Sequence, residues 1–292
     1  MEVKLFDTTV DLNDNYCQLN DLELLPVEEP YINLYVQNKG CNANCGFCEY
    51  KDIGEVFNFT RFELFLKELS KQIDVRKISF TGGEPTLDYN RFKSKVELAK
   101  EYLSESFFVV NTNGVNLKKI VKHSDYKLFN SVALSRHSNI DADNNQILGF
   151  SAPSTSEITE LLSDVDDKNV FHFSCNVIKD YVDSSEKIYN YLEWCSSLGI
   201  NDVGFVSLME INQYAKDHFI DFDSLDVIND RFVKLKEWNK KDSCRCNNYL
   251  YIPYNNEIIK VYNRHVYSKS NANNFIWDGS HFRRGFNGKI IY

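Results

Sequence analysis

Apolar residues fall into two alternating rhythms along this chain. Short runs such as Ile32, Leu34 and Val36, then Arg76–Phe80, Phe107–Val110, Val132–His137, Phe171–Lys179 and Asp202–Leu208, read as six buried strands. Longer stretches between them carry apolar residues at helical spacing. Thr60–Asp74 places Phe62, Phe65, Leu66 and Leu69 on one face, and Thr60 with Glu63 predicts a capping box at its start. Tyr89–Ser104 and Ser184–Leu198 repeat the theme, with Gly199 as the stop signal of the latter. Strands alternating with helices imply a parallel sheet with helices outside, whose working residues gather at the carboxyl ends of the strands.

Two strand ends carry chemistry. After the first comes Cys41-Asn42-Ala43-Asn44-Cys45-Gly46-Phe47-Cys48, three thiols close enough to hold three irons of a [4Fe–4S] cube and leave the fourth iron open. A zinc knuckle or three unrelated core cysteines would give the same triplet. After the second strand comes Thr81-Gly82-Gly83-Glu84-Pro85-Thr86, where the glycines admit a ligand close to the backbone and Glu84 offers an anion to a ligand ammonium. A glycine pair alone is a common turn, but the two motifs fit one geometry.

Together they resemble the radical S-adenosylmethionine (SAM) superfamily, over roughly Tyr31 to Met209. The resemblance implies an α/β fold, a partial (β/α)6 TIM-type barrel with a small C-terminal hairpin extension. It also implies an enzyme in which Cys41, Cys45 and Cys48 are cluster ligands and Gly82, Gly83 and Glu84 meet the methionine end of SAM. Reductive cleavage of SAM would then give a 5′-deoxyadenosyl radical that takes hydrogen from a substrate carbon, with flavodoxin or ferredoxin as the kind of electron donor. Further SAM contacts implied by position are Phe47 against adenine, Thr112 and Asn113 near ribose and methionine, Ser135 and Arg136 at carboxylate or ribose, Asn176 as a polar contact and Val177 behind adenine.

Charge and length narrow the partners. The 292 residues carry 33 basic against 42 acidic side chains, net −9, with no basic run, which argues against an extended nucleic acid as partner. No stretch approaches a membrane span and the start lacks a signal-peptide pattern, so a reducing cytoplasmic setting is expected, with the eight cysteines as ligands or free thiols. Cys175 and Cys195 read as core residues. Cys244 and Cys246 precede a hairpin-like segment (Tyr251–Tyr262), an order similar to the extension of molybdopterin-precursor cyclase and peptide-modifying radical SAM enzymes. The one-residue spacing and the lack of a later cysteine depart from that pattern. They leave three readings open: a second cluster using Cys17, His265 or His281, a vestigial remnant, or a thiol that donates hydrogen.

The six histidines form no metal pattern; His137 alone lies near the expected rim, and Asp141, Asp143, Asn144 and Asn145 read as a polar loop after it. The chain divides into residues 1–30 with surface-loop character, a barrel over 31–210, and a helix-and-hairpin extension over 211–292 covering the barrel. The aromatic and arginine-rich tail (Tyr267, Phe275, Trp277, Phe282, Arg283, Arg284, Phe286) fits closure of the barrel's open side or plain packing. A peptide is the preferred substrate, a small molecule such as a nucleotide or sugar precursor the alternative. A non-catalytic SAM- or metal-binding module is the reading of another class.

Overall fold

The computed structural model describes residues 2–12, 30–49, 56–237, 247–264, 273–285 and 288–292. Cys17, Cys244, Cys246, His265, Tyr267 and Phe286 lie outside the described residues. The chain starts with a hairpin, β1 (Glu2–Leu5) and β2 (Thr8–Asp11), while Asn13, Asn15 and Asn20, on which the surface-loop expectation rests, lie outside the described residues. Leu5, Val10 and Leu12 are buried in the main core, so a period-two pattern too short to notice is tied down by packing.

Six parallel strands follow in spatial order: β3 (Tyr31–Asn38), β4 (Asp74–Gly82), β5 (Phe107–Thr112), β6 (Ser131–Ser135), β7 (Phe171–Val177) and β8 (Asp202–Ser207). Between them run α1 (Phe59–Leu69), α2 (Tyr89–Tyr102), α3 (Leu117–Lys122), α4 (Asp141–Leu148), α5 (Thr155–Ser163) and α6 (Ser185–Ser197). This is the partial TIM-type barrel expected. Beyond β8 come α7 (Gln213–Asp217), β9 (Phe232–Glu237), β10 (Asn247–Tyr251), β11 (Ile259–Arg264), β12 (Asn274–Trp277) and β13 (Phe282–Arg284). The β10–β11 hairpin forms about the expected turn, and β11 joins β8 in parallel while β12 joins β3 at the opposite edge. The extension therefore continues the barrel's own sheet, eleven strands in all among the described residues.

One face of every barrel strand enters a single apolar core with the helices: Leu34, Phe80, Val110, Leu134, Phe173 and Phe205 are examples, all at most 2% exposed. A one-residue slip of any strand would turn these out, at roughly 1.5–3 kcal/mol per large side chain. The core thus fixes which residues face inward, and these include the polar Gln37, Ser79, Asn111, Ser135, Ser174 and Asn176.

Helix ends differ from the pattern-based boundaries in two places. Asn58, not Thr60, caps α1: its Oδ1 accepts the Arg61 N–H at 3.0 Å, and the helix stops at Leu69 so that β4 can begin at Asp74. Glu63 is left to accept from the Tyr102 hydroxyl. The polar run from Asp141 is helix α4, not a loop, because Ile147 and Leu148 pack inward and the fully buried Asn144 accepts the His137 N–H at 2.8 Å. Gly199 ends α6 with φ +75°, as expected of a C-terminal glycine. No helix among the described residues is long and apolar enough to cross a membrane.

Candidate active site

The cysteine loop leaves β3 at its carboxyl end and folds back on itself. The Cys48 N–H donates to the Cys45 carbonyl at 3.1 Å, and the Asn44 N–H donates to the Leu148 carbonyl at 2.8 Å, pinning the loop to the end of α4. Cys41, Cys45 and Cys48 line one cavity of about 250 Å3, including its open mouth, with Ala43, Gly82 and Gly83 as the remaining wall. Burial pushes the Cys45 thiol up to about 12, and the neighbouring Cys48 and Cys41 push in the same direction. Burial likewise raises Cys41 against the opposing Ala43 N–H.

The glycine pair is demanded by how closely β4 meets β3. Gly82 has φ +102°, and a Cβ on Gly83 would stand 1.9 Å from the Gly40 carbonyl oxygen, a backbone atom that cannot step aside. The Gly83 N–H donates to Asn38 O at 2.7 Å and the Glu84 N–H to Gly40 O at 2.8 Å. Any side chain here would prise the glycine wall off the cysteine loop.

Glu84 is 3% exposed and engaged from within. Its Oε1 accepts from the Thr86 N–H at 2.9 Å, the Thr86 hydroxyl and the Thr112 hydroxyl at 2.7 Å, while Oε2 accepts the Asn113 N–H at 2.7 Å. Burial raises its pKa despite those donors. Oε2 accepts only the Asn113 N–H, so it is the oxygen with acceptor capacity left for a ligand.

Strand alternation separates the expected pairs. Thr112 is 1% exposed and its hydroxyl serves Glu84 and the Gly114 N–H. Arg136 is 1% exposed on the helix side: its guanidinium donates to Ser138 O and Pro153 O, both at 2.9 Å, pairs with Asp141, and lies over Trp194. Val177 is fully buried among core residues. These three are thus turned away from the SAM positions expected for them. Their neighbours Asn113, Ser135 and Asn176 take the inward face, since successive strand residues point opposite ways. Asn113 reaches the cysteine loop, donating to Asn42 Oδ1 at 2.9 Å and approaching Cys41 Sγ at 3.8 Å.

Residues 35–178 match the sequence profile of the Radical SAM superfamily, a span that holds the three cysteines, the glycine pair and Glu84. The chain carries a radical SAM domain. A probable GTP 3′,8-cyclase of Saccharolobus islandicus (strain Y.N.15.51 / Yellowstone #2) is 22% identical over 199 residues, covering 67% of this chain and 62% of that protein. The putative peptide biosynthesis protein YydG of Bacillus subtilis (strain 168) is 32% identical over 102 residues, 32% of this chain and 31% of that one. The chain therefore spans a little under two thirds of the cyclase and about a third of YydG. In fold, histidine-tagged anSMEcpe with bound AdoMet superposes with a TM-score of 0.51 at 18% identity, over 63% of this chain and 55% of that one.

Radical SAM domains hold a [4Fe–4S] cluster and S-adenosylmethionine, and the donor set here fits both. Among the described residues no three His, Cys, Asp or Glu side chains are gathered tightly enough to share one metal ion. The three thiols instead ring a cavity, as ligands of separate irons in one cluster would. The raised pKa values of Cys41 and Cys45 describe thiols without a metal; coordination deprotonates a thiol outright.

Two supports of this radical SAM site have no motif in the sequence. His137 is 5% exposed, its Nδ1 accepts the Asn176 N–H at 3.0 Å, and its ring meets Phe47 edge to face at 5.4 Å. Burial holds it down to about 4, so it is a neutral ring that braces Phe47 and Asn176 together. On the other side, Tyr214 of α7 covers Gly46 so closely that a Cβ there would stand 2.8 Å from its ring, and Asn212 Nδ2 donates to Gly46 O at 3.1 Å. The segment after β8 thus clamps the cysteine loop from above.

Proposed function

We propose that this chain is a radical SAM enzyme that removes a hydrogen atom from a carbon of a peptide substrate. The observation that carries the reading is the convergence of Cys41, Cys45 and Cys48 on one cavity walled by Gly82 and Gly83. When bound, the cluster and SAM supply reductive cleavage to a hydrogen-abstracting 5′-deoxyadenosyl radical. The chain's own part is positioning and shielding. Glu84 locks the glycine turn and keeps acceptor capacity on Oε2 for the ammonium of SAM. Asn113 ties that carboxylate to the cysteine loop, Phe47 presents its ring to adenine, and Ser135 and Asn176 offer inward polar groups to the remainder of SAM. Residues 31–210 carry the radical chemistry in this reading, residues 1–30 are an N-terminal segment, and 211–292 shape the substrate side. A flavodoxin or ferredoxin is the electron donor it calls for.

The peptide assignment draws on the name of the Bacillus relative and on the C-terminal hairpin. A small-molecule substrate, a nucleotide or sugar precursor, is the second reading, favoured by the longer match to the cyclase. Anaerobic reconstitution with iron and sulfide counting, followed by assay of 5′-deoxyadenosine with dithionite and SAM, tests the chemistry. About four irons per chain, lost together with 5′-deoxyadenosine in Cys48→Ala, is the expected result. An iron-free protein that leaves SAM intact would sink it, and about eight irons would place a second cluster at Cys244 and Cys246. Stimulation of turnover by a cell extract that survives exhaustive proteolysis would overturn the peptide in favour of the small molecule.

A further inference from the structure

Arg264 ends β11, the strand that the extension lays against β8. It shares the inner face with Tyr262, whose hydroxyl donates to Asp202 Oδ2 at 3.2 Å, and Asp202 pairs in turn with His172. The face is settled by packing: Phe173 and Phe205, the neighbours of His172 and Gly204 along their strands, pack against Trp194 and Tyr191 of α6. The Arg264 guanidinium lies 5.8 Å from the centroid of the Tyr262 ring, its Nε is buried with no hydrogen-bond partner, and no carboxylate among the described residues pairs with it. Arg264 is half-buried, and a buried donor such as its Nε is normally matched. The one acid held by the same inner-face cluster, Asp202, is spent on His172 and Tyr262.

Register places this cation at the level of the site. Asn176 pairs with Val206, and Val206 with Arg264, so Asn176 and Arg264 lie in one row across the sheet, about 10 Å apart at two strand spacings. We propose that Arg264 binds an oxyanion of the substrate at the carboxyl-end mouth of the barrel, a carboxylate of an acidic peptide, with the Tyr262–Asp202–His172 chain holding the arginine's platform. The inference deepens the peptide reading and rests on it for the source of the carboxylate. A guanidinium fork takes a carboxylate or a phosphate through two parallel hydrogen bonds. A phosphate of a nucleotide precursor is therefore the other source of the same chemistry.

The test is calorimetric titration of the reconstituted protein at low salt with hexaglutamate and, separately, with tripolyphosphate. Arg264→Gln should weaken binding of the preferred probe by tenfold or more, the scale of one lost charge-assisted contact. Arg264→Lys should recover part of it, because the charge is kept and the fork is lost. Lys77→Gln is the comparison, a second inner-face cation at the amino end of β4, stacked on Tyr35 at 5.5 Å, and it should leave binding unchanged. Preference for hexaglutamate supports the proposal as stated; preference for tripolyphosphate, with the same variant pattern, overturns the peptide source and keeps the oxyanion site. No binding of either probe, equal binding by wild type, Arg264→Lys and Arg264→Gln, or equal loss in Lys77→Gln overturns the site itself. Iron content and 5′-deoxyadenosine formation by the wild-type sample are read alongside. Failure there strikes the radical SAM reading, whereas intact cleavage without anion binding strikes only Arg264.

Discussion

Replacing Glu84 by glutamine separates geometry from charge at the heart of the site. The carboxylate accepts four hydrogen bonds, three on Oε1 and the Asn113 N–H on Oε2. In Glu84→Gln one oxygen becomes an NH2, which accepts nothing. The cheaper arrangement keeps the three bonds on the remaining oxygen and turns the NH2 towards the buried Asn113 N–H, donor against donor. Loss of one hydrogen bond to a charged group, with a buried donor left unmet, costs about 3 kcal/mol. For a chain of 292 residues that is a fall of roughly 5 °C in melting temperature. Protonation is a different perturbation, because a carboxylic acid still has a lone pair on its hydroxyl oxygen for Asn113, and the proton takes the unused site. The raised pKa of Glu84 agrees. With the folded value above the unfolded one, the folded chain holds a proton that the unfolded chain has shed, and the contribution of Glu84 to stability grows as pH falls from the raised value towards about 4.5. Scanning calorimetry of the cluster-free protein, wild type and Glu84→Gln, reads both effects. A variant that melts with the wild type would refute the reasoning, because Asn113 would then not depend on Glu84.

Two further outcomes follow from groups around the cavity. Arg136→Met strips the partner from Asp141 and from two carbonyls, so its urea midpoint should fall by the equivalent of about 3 kcal/mol, while SAM affinity of the folded variant stays at the wild-type value; a selective loss of SAM affinity would return Arg136 to the site. His137 is held down to about 4 by burial, whereas the unfolded ring titrates near 6.5. Its stabilisation is therefore complete above about pH 6.5 and lost as pH falls towards 4, and His137→Asn should show a smaller drop in melting temperature between pH 7 and pH 5.

The motifs and the order of strands were legible because each is local: three thiols on one loop, two glycines at one strand end, apolar runs of strand length. Facing was not. Thr112 with Asn113, Ser135 with Arg136 and Asn176 with Val177 were each legible as strand-end pairs, yet a strand offers only one of two neighbours to the inside. The alternation of apolar residues did contain the answer: counting in twos from Phe173 through Cys175 puts Val177 with the core and leaves Asn176 inside. Helix α4 stayed hidden because its polar composition mimics a loop, and its burial is paid by contacts from elsewhere, chiefly Asn144 with His137. The Asn58 cap was obscured by Thr60, an equally good capping residue two positions on. Arg264 carried no sequence signal at all, since an unpaired arginine becomes visible only once its surroundings are known.

The two strands that flank the six-stranded barrel, β11 and β12, are joined by a short leash. Only ten steps of chain lead from Arg264, on one flank, to Asn274, on the other, and between them in the sheet stand six barrel strands. Ten extended residues reach at most about 36 Å, while seven flat strand spacings already demand about 33 Å, before any descent from the carboxyl to the amino ends. A flattened sheet would pull that connection taut, so the covalent chain itself bounds how far the barrel can gape. Lengthening the connection by a few glycines would loosen this restraint without touching a single residue of the site.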